Sequence, residues 1–119
     1  MPNLVGNTIN DIVKIEIDVF GHKRYTLNGL IHRVDGPAIE YTDGTKHWYR
    51  HGKRHRENGP AVELASGEKY WYFDHKLHRI HGPAVVHPNG HVEWWINGIL
   101  YPRSKYQENK KISWLKEGF

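Results

Sequence analysis

Cysteine is absent from all 119 residues. No disulfide can staple the chain and no thiolate can bind a metal. A chain without cysteine suits a reducing compartment. Also missing is any apolar run near the roughly 18 residues that a membrane-spanning helix needs. The opening MPNLVGNTINDIV has neither the basic region nor the apolar core of a secretory leader. These absences lead us to expect a soluble, cytoplasmic protein, and the length supports one domain.

The signatures of catalysis are missing too. Serine occurs only at Ser66, Ser104 and Ser113, none within a GxSxG context. There is no HExxH motif and no glycine-rich phosphate loop. Thirteen acidic residues make paired carboxylates uninformative here. His75, His78 and His81 are spaced by three but fall in a turn. Equivalent histidines of successive units would stand about 9–10 Å apart, too far to share one ion. The expectation is therefore no enzyme, no cofactor and no metal.

What is abundant needs a different explanation. The chain holds 5 Trp, 7 Tyr and 10 His. Gly21, Gly44, Gly67 and Gly90 are each 23 residues apart, and Arg33, Arg56, Arg79 and Pro37, Pro60, Pro83 keep the same interval. A fixed period of this size marks stacked units, each unable to bury its apolar face alone. The units run 21–43, 44–66 and 67–89, with a partial one over 90–101.

Each unit carries hairpin signals. TKHWYR (45–50) and EKYWYF (68–73) are short, aromatic-rich strand sequences. Asn28-Gly29, His51-Gly52 and Asn97-Gly98 suit a tight turn, with Asp74-His75 in that place in the third unit. Gly-Pro-Ala then opens a second strand, with proline first, where its missing N–H does no harm. Alternation puts Tyr25, Trp48, Trp71 and Trp94 on one face, and we expect Ile39, Val62 and Val85 to join them. Residues 9–20 read as a capping strand. Ser104-x-x-Gln107 opens a short C-terminal helix within a 102–119 cap. The fold class expected is all-β: an elongated antiparallel meander of 23-residue hairpins with these two caps.

The residues carry a resemblance. Trp48-x-x-x-Gly52-Lys53-x-His55, closing through Gly67 to Trp71, is similar to the MORN repeat, and the likeness covers residues 21–101. His-Arg-x-x-Gly-Pro stands where the standard form has a tight His-Gly-x-Gly turn. The chain thus resembles the variant MORN class of bacterial and phage proteins, some grouped as antitoxins. That resemblance implies a non-enzymatic interaction module, and for some members a lipid-binding role.

The recurring His-Arg pairs admit a structural role and a binding role. In the structural one each histidine bonds a neighbouring carbonyl and each arginine an acid close by, with Asp35 and Glu57 in reach of Arg33 and Arg56. A protein partner is the leading expectation, because Tyr, Trp and Arg anchor interfaces. The surface expected to carry it is Tyr49, Tyr72 and Trp95 with Arg50, Arg54, Arg56 and Arg79. An inhibitor or antitoxin that blocks an enzyme, encoded by a phage or a bacterium, is the form the resemblance suggests. Nucleic acid is the alternative, since bases interleaved with aromatics suit single strands. Against it, residues 20–101 mix 8 acids with 11 bases. A membrane surface is not expected, because the 104–117 segment has only a thin apolar stripe. Open sheet edges would also admit a homodimer.

Overall fold

The computed structural model describes residues 12–102. All the regular structure there is β, and the strands pair antiparallel. The first strand is β1 (Lys14–Ile17), followed by the hairpin β2 (Lys23–Leu27) and β3 (Leu30–Ile31). Then come β4 (Ile39–Glu40), β5 (Lys46–His47), β6 (Tyr49–Arg50), β7 (Lys53–Arg54) and β8 (Val62–Glu63). The same set recurs as β9 (Lys69–Tyr70), β10 (Tyr72–Phe73), β11 (Lys76–Leu77) and β12 (Val85–Val86). The hairpin β13 (Val92–Ile96) and β14 (Ile99–Tyr101) ends the series. One sheet runs β14-β13-β12-β9-β8-β5-β4-β2-β1, while β6–β7 and β10–β11 stand beside it as two-stranded ribbons.

Glycine and its substitutes set the turns. At the hairpin tips both central residues have positive φ: 53° and 81° at Asn28-Gly29, 49° and 81° at His51-Gly52, 51° and 79° at Asn97-Gly98. That backbone matches the twist of the strands it joins. The third unit reaches the same shape with Asp74 (φ 50°) and His75 (φ 70°), so a non-glycine residue sits where the others use glycine.

The register overturns one expectation about faces. Arg24, Ile39, His47, Val62, Tyr70, Val85 and Glu93 lie opposite one another across successive strands. They therefore share a face, and Ile39, Val62 and Val85 lie away from the tryptophans. Carried one residue further, the same register alternates Tyr25, Ala38, Trp48, Ala61, Trp71, Ala84 and Trp94. Ala38, Ala61 and Ala84 are wholly buried, each between two large rings where a methyl group is what fits. The expected pairing was one residue out of step, which flips every side chain of a strand.

The molecule measures 54 × 36 × 17 Å along its principal axes. Its core is thin: the buried apolar residues are small or medium-sized (Leu27, Ala38, Ala61, Val62, Ile80, Ala84, Val85, Ile96), and no large side chain among the described residues is fully buried. So thin a core raises the weight of specific polar contacts. The expected capping strand over 9–20 is shorter in its described part, ending in a turn at Asp18–Gly21. It pairs with β2, yet Ile15 and Ile17 remain exposed. The expected C-terminal helix lies outside the described residues. Among the described residues no helix is long and apolar enough to cross a membrane.

Candidate functional site

The His-Arg-x-x-Gly-Pro-Ala segment is a lock, and each residue has a part in it. Arg33 lies 4.0 Å over the ring of Tyr25, Arg56 3.8 Å over Trp48, and Arg79 3.9 Å over Trp71. Such cation–ring contacts contribute about 0.5–2 kcal/mol each. The Nη1 of each arginine also donates to the carbonyl of Pro37, Pro60 or Pro83. Arg33 and Arg56 add ion pairs at 3.0 Å to Glu40 and Glu63. In the third unit Val86 occupies the corresponding place. The glycine is needed for closeness: a methyl group at Gly59 would lie 3.0 Å from Arg56 Cζ, and at Gly82 2.7 Å from Arg79 Cζ.

Two sequence-based expectations change here. Arg56 pairs with Glu63, seven residues on, because the guanidinium is pinned flat on Trp48 and points toward β8. Glu57 instead lies 3.6 Å from His55. The histidines do not donate to carbonyls through Nδ1; they accept. Nδ1 of His32, His55 and His78 takes the backbone N–H of His51, Asp74 and Asn97, at 2.9, 3.1 and 2.9 Å. These donors are the first positive-φ residues of the next unit's hairpin tip. The carbonyl just before each histidine accepts from the second tip residue: Gly52 to Ile31, His75 to Arg54, Gly98 to Leu77, all at 2.8 Å. Each unit therefore holds the tip of the following one. His32, His55 and His78 are buried. Burial is the first cause that holds the His32 and His78 imidazoles below their ordinary pKa, keeping them neutral as acceptors must be.

The expected partner-binding residues fall on two faces. Tyr49 pairs with Arg54 and Tyr72 with Leu77 across their ribbons. The Arg54 guanidinium reaches over both tyrosines, 5.9 Å from the Tyr49 ring and 5.3 Å from the Tyr72 ring. Trp95 continues this side from β13, with its Nε1 donating to Glu93 Oε1 at 2.8 Å. Arg50, Arg56 and Arg79 lie on the other side. Arg50 lines a groove with Trp48, His55 and Arg56. A larger groove of about 660 Å³ lies between the Arg56–Pro60 and His78–His81 segments, floored by Trp71. Arg33 and Arg56 are tied to carboxylates, whereas among the described residues no carboxylate pairs with Arg54 or Arg50. Arg54 is near enough to His47 to hold that imidazole below its ordinary pKa, second to burial as a cause.

A cluster that the sequence did not disclose lies at the turns near the last unit. His87, His91 and Glu93 bring one ligand atom each within 4.8 Å of one another. Glu68, from the preceding turn, stands 3.9 Å from His87. The signal was hidden because equivalent positions hold different residues in other units: Tyr41 and Leu64 in place of His87, Thr45 and Glu68 in place of His91. Comparison of the chain with protein-family models, with curated proteins and with solved structures finds no match.

Proposed function

We propose that this protein is a rigid, non-enzymatic platform of stacked 23-residue hairpins, of MORN-variant type, that binds a protein partner through the Tyr49–Arg54–Tyr72 face. One observation carries the reading: Arg54 is laid over two tyrosine rings with no carboxylate among the described residues paired to it. A guanidinium held this way keeps its charge and loses little freedom on docking. Tyrosine and arginine together are the chemistry of interface anchors. The partner surface that fits would offer a carboxylate to Arg54 and apolar contact to the rings. Trp95 extends the same face, whereas Arg56 and Arg79 support it from the opposite side. Use of the platform as an inhibitor that covers an enzyme's active site, in the cytoplasm, is the finer form of this proposal; it rests on the resemblance and on the absence of cysteine.

The test is capture of partners from a bacterial lysate by the tagged full chain, with and without nuclease. The expected result is one nuclease-resistant protein in near-equal amount, lost with Arg54→Glu or Tyr72→Ala and kept with Lys69→Ala. Loss of all captured material on nuclease treatment would transfer the reading to nucleic acid. A partner that bound Arg54→Glu and Tyr72→Ala as tightly as the native chain would refute the face.

A further inference from the structure

We propose that Glu68, His87, His91 and Glu93 form a site for a divalent transition-metal ion of the zinc class, bridging two successive turns. The four side chains supply two imidazole nitrogens and two carboxylate oxygens. That donor set suits zinc better than calcium or magnesium, which take oxygen ligands. Two carboxylates and two neutral imidazoles together carry a charge that one dication balances.

The framework around the cluster is built. The turn that carries both histidines is closed by His87 N–H to His91 O at 2.9 Å and Gly90 N–H to His87 O at 3.0 Å. Asn89 Oδ1 accepts the His91 N–H at 2.9 Å. Glu93 follows His91 by two residues along the strand and so shares its face. On the preceding turn, Leu64 accepts N–H bonds from Gly67 and Glu68 accepts through its carbonyl from Leu64. The four ligands thus come from two closed turns and the strand that continues one of them.

Each carboxylate is aimed by a neighbour. Trp95 Nε1 donates to one oxygen of Glu93, and the other oxygen lies 3.5 Å from His91 Nε2. Ser66 Oγ donates to one oxygen of Glu68, and the other lies 3.9 Å from His87 Nδ1. One oxygen held from behind and one presented to an imidazole is how outer partners orient metal ligands. A tetrahedral ion with bonds near 2.0–2.2 Å needs ligand atoms about 3.3 Å apart. His87, His91 and Glu93 already lie within 4.8 Å of one another and Glu68 3.9 Å from His87, and side-chain rotations bring the four to that spacing. His91, the most exposed of the four, has room to make them.

The site would act as a staple between units. No other junction among the described residues repeats the set, since Leu64 stands where His87 would be and Tyr70 where Glu93 would be. The proposal does not depend on the identity of any protein partner.

Titration of Zn²⁺ into the full chain, read by competition with a chromophoric chelator and by thermal melting, tests it. The expected result is one ion per chain and a raised Tm in its presence. His91→Ala and Glu93→Gln should each lose at least about tenfold in affinity, and Trp95→Phe, which removes only the outer donor, should lose about tenfold. His75→Ala and His81→Ala, exposed histidines elsewhere, should bind as the native chain does. Co²⁺ in place of Zn²⁺ should give the visible absorption of a four-coordinate ion. Absence of saturable one-to-one binding would overturn the proposal. So would binding that survives His91→Ala and Glu93→Gln undiminished, because the ion would then sit on other histidines.

Discussion

His78 Nδ1 accepts the backbone N–H of Asn97, nineteen residues further on, at 2.9 Å. The histidine is buried, while the asparagine is an exposed tip residue at φ 51°. A side chain of one unit thus fixes the backbone of the next at the first positive-φ residue of its tip. His32 with His51 and His55 with Asp74 repeat the relation.

Truncating the clamp should therefore cost more than one hydrogen bond. His55→Ala leaves the Asp74 N–H without its acceptor and empties space beside Phe73, whose ring centroid is 4.3 Å from that of His55. We expect a loss of about 2–4 kcal/mol. His55→Asn, whose side-chain oxygen can accept the same N–H, should recover part of it. Urea unfolding of the two variants checks both values.

Glycine at position 59 is there to admit an arginine. Gly59→Ala should destabilise by about 1–3 kcal/mol, because its methyl would press on the guanidinium held against Trp48. In an Arg56→Ala background the same change should cost far less. A double-mutant cycle measures the coupling. Equal costs in both backgrounds would show that the guanidinium is not what excludes the side chain.

His75 is the one non-glycine residue at the second tip position, at φ 70°. Left-handed backbone costs a residue with a side chain roughly 1–2 kcal/mol, and glycine adds back about 0.5–1 kcal/mol through the unfolded chain. The bond from Arg54 N–H to His75 Nδ1 is long at 3.4 Å, so little is lost with it. His75→Gly should therefore stabilise by up to about 1 kcal/mol, seen as a raised Tm.

Acid should loosen the stack. His32 and His78 have pKa values lowered in the fold, by burial first, below the value near 6.5 of an open chain. Between those values the unfolded chain binds more protons, so stability rises with pH. It should be full above about pH 6.5 and fall as pH drops from there toward the folded values. Urea midpoints compared at pH 8 and pH 5 check the sign. The difference should shrink in His32→Asn and His78→Asn, whose clamps do not titrate.

Much of the fold was legible because glycine, proline and arginine recur at one interval and the tip pairs announce tight turns. The faces were not: Ile39, Val62 and Val85 are the larger apolar residues of the second strands and were expected beside the tryptophans, whereas the smallness of Ala61 is what lets Trp48 and Trp71 flank it. Of the two arginine partners expected, Asp35 does pair with Arg33, at 3.1 Å. Glu57 does not pair with Arg56: it is near in sequence, but the stack on Trp48 turns the guanidinium toward Glu63. Of the candidate interface, Tyr49, Arg54 and Tyr72 come together, and Arg50, Arg56 and Arg79 lie behind them. The histidine–carboxylate cluster was invisible because no period links its members, and only the adjacency of two turns brings Glu68 to His87.

Hydrogen exchange at the amides of His51, Asp74 and Asn97 tests the locked stack most directly. All three residues are exposed and lie at hairpin tips, where amides ordinarily exchange fast. With histidine Nδ1 as acceptor, they should exchange slowly and together, at rates set by opening of the whole sheet. Exchange of these amides as fast as in an open loop would contradict the clamp, and with it the rigid platform on which the proposed binding face depends.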